Sequence, residues 1–597
     1  MSKRGHGQVR RSQIITTYGP GALIDLPDHS AIVGGLDTWG KLDDLDEIIE
    51  PRLTRKLQNM TGVIAPRLYS PPPDSNDPRE TKKGIGVWRF PEWFVVREKD
   101  GAGQRSRSRR LVSRKALDDN GRFDGLQVVP TRFVRACPRG HVDDLDWYVY
   151  VHGTQSDCLR TRQLWLDERG TGGDLGDLTV RCECKASRPL YEASNIETMP
   201  LGMCRGRRPW LGLNSAEDCN QPSRLLIRTA ANAYFPQVVS VLSLPERGSA
   251  VQVVVRDLWT QLQTVESPAE LAFLKKQPQI TEKLAPFSDA EVMDAIQEIK
   301  GGAQVERPVK EVELEALLAA PDGYGDDVPM DPDFHARRLP EHVWRNAKVS
   351  DDVESVLQLH RLREVMGLVG FTRFEAVTPD IHGEYETDVE RADIALEPSW
   401  FPAVENRGEG VFIQIRADAI ERWLKESGVA GRLDLLALGH RRWADARKSK
   451  RLFPGGPYVL LHTLAHLLLQ SLAMSCGYPA SSIRERIYTE GGRYGILLYT
   501  GSPDSEGTLG GLVQQARHIE EHLARALRMG ALCSNDPICA QHEPGSSLEE
   551  RWLHGASCHG CALIAETSCE MRNDYLDRAL VLPILGVDDA AFFVDGV

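Results

Sequence analysis

The chain has 597 residues, 41% of them hydrophobic and 26% charged, which is typical of a globular protein with several domains. Its net charge of −13 argues against indiscriminate coating of nucleic acid but is compatible with a local basic groove. The start, MSKRGHGQVRRSQ, has no apolar segment, so we expect no signal peptide. The most apolar run, Tyr458 to Cys476, is too polar for a membrane span. We therefore expect a cytoplasmic protein without a membrane partner, in which clustered cysteines indicate metal rather than disulfides.

The order of the elements predicts a multidomain α/β fold with zinc-ribbon-like inserts, a helical middle and a C-terminal α/β domain closed by a cysteine-rich zinc site. The predicted regions are 1–130 (mixed α/β), 131–244 (cysteine-rich), 245–397 (mainly helical) and 398–597 (C-terminal α/β). Within the middle region, VESVLQLHRLREVMGLVGF, which begins at Val353, is predicted to form an amphipathic helix.

Three basic stretches are candidates for nucleic-acid contact. Acidic residues are absent from Gly101 to Leu117, so nothing in that segment neutralises its basic side chains. Phosphate contact is one interpretation of such a run and a solvated face is the other. Arginines next to a tryptophan suit single-stranded nucleic acid, whose bases stack on rings, but also suit plain surface packing. The candidates are Arg105, Arg107, Arg109, Arg110, Arg114 and Lys115; then Arg205, Arg207 and Arg208 beside Trp210; then the run from Arg441 to Arg451.

The cysteine-rich region begins with ACPRGH, which places Cys137 and His141 four residues apart. A C-P-x-G-H turn that faces a later cysteine pair resembles a zinc ribbon, so the preferred ligand set adds Cys182 and Cys184. Other cysteines of the region could form part of another site or replace a member of this set. They are Cys158, Cys204 and Cys219. The alternative is a few buried thiols beside a surface histidine.

Five of the twelve cysteines lie between positions 533 and 569: Cys533, Cys539, Cys558, Cys561 and Cys569. Cys558-His559-Gly560-Cys561 is a C-x-x-C knuckle, whose spacing lets two thiolates bind one tetrahedral ion. Cys569 and either Cys533 or Cys539 could complete the set, with His542 and His559 as lesser candidates. We expect two structural Zn²⁺ sites in the chain, against the alternative of buried free thiols.

His462 and His466 share one helix face, in the H-x-x-x-H geometry of a zinc ligand pair. The general-base glutamate of that motif is missing, because position 463 is Thr, and structural histidines are the favoured interpretation. The chain also lacks a G-x-x-x-x-G-K-[S/T] phosphate loop and a G-x-S-x-G elbow. We therefore expect no catalysis; the alternative is a metal-dependent hydrolase or nuclease with an open zinc site.

Two stretches resemble the DrmB family of helicase-associated subunits in the DISARM antiphage system. One is the opening RRSQIITTYGPGALIDLP; the other runs from LLHTLAHLLLQSL to LDRAL and is similar to the zinc-binding C-terminal domain of MrfA-type helicases. The resemblance implies a non-catalytic subunit, in a heterodimer with a DrmA-like superfamily-2 helicase. It also implies binding of DNA with a single-stranded end during defence against unmethylated phage DNA. Other defence subunits, such as a methyltransferase, are further candidate partners.

Overall fold

The chain forms two compact units in the computed structural model. Unit 1 comprises Met1–Ser240, Val365–Thr378 and Thr387–Glu405, and unit 2 comprises Val241–Glu364, Pro379–Glu386 and Asn406–Val597. The structure describes residues 9–26, 29–72, 84–98, 107–154, 157–169, 174–244, 251, 254–255, 258–285, 287–300, 307–325, 333–346, 348–385, 390–501, 511–545 and 551–594. The predicted class, a multidomain mixture of helix and sheet, is confirmed, while the division into four regions stays a prediction.

Unit 1 consists mainly of short antiparallel strands. Its largest sheet has seven strands, in the spatial order Ser187–Pro189, Leu178–Cys182, Leu164–Glu168, Ser108–Ser113, Trp93–Val96, Leu126–Pro130 and Arg122–Phe123. Alternate side chains of these strands, such as Leu111, Leu164 and Val180, pack with Trp147 in one apolar cluster. This period of two is what a sheet with one buried face requires.

Smaller elements complete unit 1. One three-stranded sheet has the spatial order Leu23–Asp25, Ser30–Val33 and Val87–Arg89. A second has the order Val142–Asp143, Phe133–Ala136 and Arg224–Ile227. Strand Arg67–Tyr69 pairs with Glu47–Ile48 and, in parallel, with residues 400–402. The helices of unit 1 are Arg11–Thr16, Pro51–Thr61 and Trp147–His152. Helix Trp147–His152 ends at a histidine, and Cys137 directly follows strand Phe133–Ala136, so potential metal-binding side chains lie at the ends of these elements.

Unit 2 begins with the predicted helical middle. Its helices are Trp259–Leu262, Pro268–Leu274, Pro278–Leu284, Asp289–Lys300 and Val309–Leu318. Ser267 caps the second of them, since its side chain accepts a hydrogen bond from the Glu270 N–H and Pro268 occupies the first helical position. The helical middle expected from the sequence is therefore confirmed up to Leu318.

The predicted helix that begins at Val353 is wrong, because the segment is one long strand, Val353–Thr372. Almost every side chain along this strand is buried. Its residues up to Glu364 belong to unit 2, and those from Val365 onward belong to unit 1. Polar residues such as Gln358, Arg363 and Glu364 are buried along the strand together with its apolar ones. When both faces are covered, periodicity alone does not distinguish a strand from a buried helix. The β-branched residues Val353, Val356 and Val369 were the signal that favoured a strand.

The C-terminal part of unit 2 packs helices against a sheet. Residues 410–415 of strand Trp400–Ile415 pair with Tyr494–Thr500, which pairs in turn with Ile483–Tyr488, all antiparallel. A further strand of unit 2 is Phe334–Arg338, while strand Phe235–Leu242 has residues 235–240 in unit 1 and only its last two residues in unit 2. The helices are Glu341–Trp344, Ala417–Trp423, Ser427–Arg447, Gly456–Cys476, Gly511–Gln515, Ile519–Gly530 and Arg578–Val581. The α/β character predicted for the C-terminal region is confirmed.

Helix Gly456–Cys476, called the central helix below, runs through the main apolar core of unit 2. It is the one helix among the described residues that is long and apolar enough to cross a bilayer, and 72% of its most apolar window is buried inside the protein. Core helices of globular proteins pass the same test of length and composition, and the burial fits that role.

Candidate metal centres

Four cysteines that follow helix Ile519–Gly530 converge on one point. The Sγ atoms of Cys533 and Cys558 lie 3.4 Å apart, those of Cys539 and Cys561 3.8 Å, and those of Cys558 and Cys561 3.7 Å. A disulfide would need about 2.05 Å. Zn–S bonds of about 2.3 Å give a tetrahedron with edges of about 3.8 Å. We call this set the C-terminal cluster; its spacing fits four thiolates around one zinc ion.

N–H groups point at these sulfurs. The backbone N–H of Asn535 donates to Cys533 Sγ at 3.4 Å, that of Gly560 to Cys558 Sγ at 3.3 Å, and that of Cys558 to Cys561 Sγ at 3.2 Å. Burial raises the pKa of Cys558, but hydrogen bonds from the Asn535 side chain and the Gly560 N–H outweigh it and lower this pKa to about 7. These hydrogen bonds thus favour the thiolate of Cys558, which is the form that binds metal.

A buried arginine supplies positive charge beside the C-terminal cluster. Arg578 is 0% exposed and donates hydrogen bonds to Gly530 O at 2.7 Å, to Asp536 Oδ1 at 3.0 Å and to Cys539 Sγ at 3.6 Å. Four thiolates around a divalent ion leave a net charge of about −2. The guanidinium offsets part of that charge where water cannot reach it.

A second group lies in unit 1, where Cys137 follows strand Phe133–Ala136. The Nδ1 atom of His141 lies 3.3 Å from Cys137 Sγ and 3.6 Å from Cys204 Sγ, and the Sγ atoms of Cys137 and Cys219 are 4.0 Å apart. We call these four residues the His141 cluster. Three cysteines and one histidine are a common donor set of structural zinc.

A carboxylate orients the histidine of the His141 cluster. His141 Nε2 lies 2.7 Å from Glu217 Oε1, so a ring that donates there turns its Nδ1 lone pair toward the sulfurs.

The segment around Cys204 is also constrained. Gly206 has φ +62°, and a Cβ there would meet the Glu217 carbonyl oxygen at 1.6 Å, so this hairpin requires glycine. A hydrogen bond from Cys137 lowers the pKa of Cys204 to about 4, although burial opposes the shift.

A third group consists of His152, Cys158, Cys182 and Cys184, whose candidate ligand atoms lie within 4.8 Å of one another. His152 Nε2 is 3.2 Å from Cys184 Sγ, and the Sγ atoms of Cys158 and Cys182 are 3.7 Å apart. His152 ends helix Trp147–His152 and Cys182 ends a strand of the large sheet. We call this set the His152 cluster; it again offers three sulfurs and one nitrogen.

Local hydrogen bonds prepare the His152 cluster for metal. The Nδ1 atom of His152 lies 2.9 Å from the Tyr148 carbonyl oxygen, so it donates there and leaves Nε2 free to coordinate. The pKa of Cys184 is lowered to about 6, first by a hydrogen bond from the Ala186 backbone and then by His152. A thiol of this pKa is largely a thiolate at neutral pH.

The structure thus corrects the ligand grouping expected from the sequence. Cys137 and His141 do not share a group with Cys182 and Cys184, because the strands that carry the two pairs lead to different sets of cysteines. Cys533 and Cys539 both lie in the C-terminal cluster, whereas Cys569 does not. His542 Nε2 instead faces the Arg551 carbonyl oxygen at 3.2 Å, and His559 is exposed. Sequence reasoning missed His152, whose signal was its position six residues before Cys158.

Comparison with known proteins places these clusters in two recognised domains. A domain of unknown function, DUF8724, matches residues 10–235, and the MrfA Zn-binding domain matches residues 464–562. The DISARM protein DrmB of Bacillus paralicheniformis (strain ATCC 9945a / NCIMB 11709 / CD-2) is 33% identical over 488 residues, which cover 78% of this chain and 82% of that protein. The chain belongs to the DrmB family.

In this DrmB family member the matched Zn-binding domain contains all four residues of the C-terminal cluster, and the DUF8724 match contains both clusters of unit 1. The domain match and the cysteine geometry together support zinc as the metal. The three donor sets, two with Cys₃His and one with Cys₄, fit closed structural sites rather than sites that keep a position for water.

The first basic stretch carries less free charge than its sequence indicates. Arg105 lies outside the described residues, and Arg107 and Lys115 are exposed. The others are ion-paired with carboxylates from elsewhere in the chain: Arg109 with Glu168, Arg110 with Glu98 and Asp124, and Arg114 with Glu92. The segment itself offers no acidic partner, as expected, but neighbouring strands and loops supply the carboxylates that neutralise most of this run.

Trp210 is not a surface for stacking bases, which corrects that expectation. Its side chain is 0% exposed, its indole N–H donates to the Asp393 carbonyl oxygen at 2.8 Å, and its ring packs against Phe371. Of the arginines before it, Arg208 pairs with Glu217 at 2.7 Å and Arg207 donates to Leu213 O. Arg205 is 55% exposed but lies 3.6 Å from Asp146.

Replacing Glu217 by Gln is expected to weaken zinc binding at the His141 cluster about 10- to 100-fold, the usual effect of losing a ligand's hydrogen-bonding partner. The amide lacks the negative charge that favours the required tautomer of His141. Competition with a chelator, followed by zinc release, measures this affinity. Glu192→Gln is the control, since Glu192 pairs with Arg188 and lies outside the clusters. Indistinguishable release curves for wild type and Glu217→Gln would contradict the role.

Proposed function

We propose that this chain is a non-catalytic subunit of a DISARM antiphage defence complex, in which it pairs with a DrmA-like superfamily-2 helicase and helps to hold DNA. The observation that carries the proposal is the 33% identity to DISARM protein DrmB across 82% of that protein. The MrfA Zn-binding domain, with its four cysteines gathered, supports a helicase-associated role. In this role three structural zinc ions hold in place the loops that carry the interaction surfaces.

Co-expression with a DrmA-like superfamily-2 helicase tests the partnership. A tag on this chain should recover the helicase in a constant ratio, and the two should stay together in size-exclusion chromatography after nuclease treatment. Helicase passed over the same resin without this chain controls for adhesion. If no helicase co-purifies, with or without DNA, the proposed role is lost, because the sequence offers no phosphate loop of its own.

The isolated chain is expected to hydrolyse no ATP and to cut no DNA. The sequence lacks the glycine-rich loop and following Lys-Ser/Thr that bind nucleotide phosphates. In the complex, ATPase activity should disappear when the phosphate-loop lysine of the helicase is replaced, and should persist with Cys476→Ser in this chain. A purified chain whose own ATPase is abolished by a point substitution within it would refute the non-catalytic assignment.

Because most arginines of the first two basic stretches are paired or buried, we assign the proposed DNA contact to the third stretch, at the end of helix Ser427–Arg447. Its basic side chains are exposed at five positions: Arg441, Arg442, Arg447, Lys448 and Lys450. Such a group can neutralise backbone phosphates without reading bases, and it does so despite the net charge of −13 because affinity follows the local field. In the complex we expect binding to DNA with a single-stranded end, and action on foreign DNA that a partner methyltransferase has not marked.

Charge reversal tests this surface in the helicase complex. Arg441→Glu, Arg442→Glu and Lys448→Glu together should weaken DNA retention and flatten its salt dependence by about 0.7–0.9 log units per log unit of salt for each phosphate that the variant no longer neutralises. The matched control reverses three other exposed residues: Lys41, Lys425 and Arg528. Unchanged affinity and slope in the first variant would show that the stretch is a solvated face.

A further inference from the structure

A fourth group of metal-binding side chains lies inside unit 2, apart from the C-terminal cluster. His462 and His466, one turn apart on the central helix, place their ring centroids 4.6 Å from each other. His462 Nε2 lies 2.9 Å from Glu485 Oε1 and 3.1 Å from Cys569 Sγ, and His466 Nε2 lies 3.2 Å from the same carboxylate oxygen. The side chains of both histidines and of Glu485 are 0% exposed.

Both histidines turn their Nε2 atoms into this group. His462 Nδ1 lies 3.3 Å from the Tyr575 carbonyl oxygen, and His466 Nδ1 lies 2.8 Å from the Ala562 carbonyl oxygen. A carbonyl oxygen only accepts hydrogen bonds, so each Nδ1 must carry the proton and donate it. In a neutral ring this leaves a lone pair on Nε2 that faces the carboxylate. Two histidines held by this kind of hydrogen bond are characteristic of metal ligands.

The sulfur of Cys569 is also prepared as a ligand. The backbone N–H groups of Met571 and Asn573 donate to Cys569 Sγ at 3.4 and 3.1 Å. The same pattern of N–H groups directed at sulfur occurs in the C-terminal cluster, where the N–H of Gly560 donates to Cys558 Sγ. Hydrogen bonds of this kind stabilise a thiolate, which in a buried position needs a positive charge beside it.

Without a cation the group is poorly satisfied. Lone pairs of His462 and His466 would face the Glu485 carboxylate, unless the rings took up protons against the cost of burying charge. Within the described part of the chain, the second oxygen of Glu485, Oε2, is buried and has no hydrogen-bond partner. A divalent ion would accept lone pairs from every donor, and its +2 charge would balance one thiolate and the carboxylate whose second oxygen is buried.

We propose that His462, His466, Glu485 and Cys569 bind a fourth structural zinc ion. Zn–N and Zn–O bonds of about 2.0 Å and Zn–S bonds of about 2.3 Å give a tetrahedron with edges of about 3.3–3.5 Å. The observed separations of 2.9, 3.1 and 3.2 Å are somewhat shorter than those edges, and all four ligand atoms lie within 4.8 Å of one another. Four buried protein donors leave no place for a catalytic water, so this centre does not support the hydrolase alternative.

This centre joins three parts of the chain that are distant in sequence. The central helix supplies the histidines, strand Ile483–Tyr488 supplies Glu485, and the segment after the knuckle supplies Cys569. The residue that holds His466 Nδ1 is Ala562, directly after Cys561 of the C-terminal cluster. The matched Zn-binding domain, 464–562, contains His466 and Glu485 but ends before Cys569 and begins after His462. The new site therefore fastens that domain to flanking parts of unit 2.

Anomalous diffraction at the zinc edge, on crystals of the full chain, locates each ion directly. We expect a peak enclosed by the four donor atoms, in addition to peaks at the three cysteine clusters, and about four zinc ions per chain by elemental analysis. Peaks at the other clusters with none between His462 and Cys569 would overturn the proposal. The test does not depend on a helicase partner, so its failure leaves the DISARM role standing.

A conservative substitution gives a second readout in solution. Glu485→Gln keeps the side-chain shape but removes the negative donor, and we expect the folded variant to contain one zinc ion fewer than wild type. His522→Asn is the matched control: His522 is also buried, but it hydrogen-bonds Ser471 and Gln515 rather than ligand candidates. If Glu485→Gln retains the wild-type zinc count, the four residues are a hydrogen-bonded core and not a metal centre.

Discussion

Cys561→Ser is expected to remove one zinc ion per chain and to unfold the C-terminal part of unit 2. Cys561 Sγ lies 3.8 Å from Cys539 Sγ and 3.7 Å from Cys558 Sγ, and a serine hydroxyl at this position is a much weaker zinc ligand. Structural zinc contributes about 10–16 kcal/mol in zinc-finger peptides. That is comparable with the entire stability of a typical domain, about 5–15 kcal/mol, so the loss should abolish the native state.

The packing around the knuckle explains why the effect should spread. Gln470 of the central helix donates to the Cys561 carbonyl oxygen at 3.0 Å, and Arg578 donates to Cys539 Sγ at 3.6 Å. Without the ion, the four thiolates would repel one another or would have to take up protons. Protonated thiols would leave the buried guanidinium of Arg578 without its counter-charge, and the loosened loop would disturb the packing of the central helix.

Elemental analysis, limited proteolysis and thermal melting measure this outcome. Cys476→Ser is the matched control, because Cys476 is the one described cysteine outside the four groups and its thiol faces the Gly511 carbonyl oxygen. The control should keep its zinc content and melt close to wild type. A Cys561→Ser chain that keeps both its zinc content and its melting temperature would exclude a structural metal at the knuckle.

The part of the metal chemistry that is local in sequence could be predicted, and the part that depends on tertiary pairing could not. Cys558 and Cys561 are separated by two residues, so the chain itself holds their sulfurs together. By contrast, 40 residues separate His141 from Cys182. Which cysteine reaches which histidine depends on the strand order, with Cys182 at the end of a strand in the seven-stranded sheet.

The histidine pair of the central helix illustrates the same limit. The spacing of His462 and His466 places them on one helix face, but the residues opposite them decide whether they are core histidines or ligands. Glu485 comes from a strand and Cys569 from a later connection. No local pattern pairs those two residues, and the C-x-x-C knuckle nearby made Cys569 look like a member of the C-terminal cluster.

The free charge of the first basic stretch was the property least predictable from the sequence, because its ion-pair partners lie far away along the chain. The run from Gly101 to Leu117 has no acidic residue, yet Arg109 is 7% exposed and pairs with Glu168 at 2.8 Å. Antiparallel pairing of Ser108–Ser113 with Leu164–Glu168 brings these side chains together, and this register is not encoded within either segment. Reversing Arg109 would therefore test the fold of unit 1 rather than DNA binding.

Asp577→Asn is expected to destabilise unit 2 by about 3–5 kcal/mol, the usual cost of removing one partner from a buried ion pair. Asp577 is 0% exposed and Arg432 7%, and the Asp577 carboxylate accepts hydrogen bonds from Arg432 Nε at 2.6 Å and Nη2 at 3.2 Å. It also accepts from the backbone N–H groups of Ala556 and Ala579. An amide has one acceptor oxygen in place of two, so the buried guanidinium would lose its counter-charge and part of its hydrogen bonding.

The shift in the urea midpoint of the zinc-loaded protein, followed by tryptophan fluorescence, measures this loss. Asp418→Asn is the matched control: Asp418 also pairs with an arginine, Arg416, but both side chains are about half exposed. Exposed pairs contribute about 0–1 kcal/mol, so the control should unfold near the wild-type midpoint. Adding Arg432→Met to Asp577→Asn should recover part of the stability, because it removes the uncompensated buried charge. A loss no larger than that of Asp418→Asn, with no recovery in the double variant, would show that this buried pair does not stabilise the connection between helix Ser427–Arg447 and the C-terminal segment.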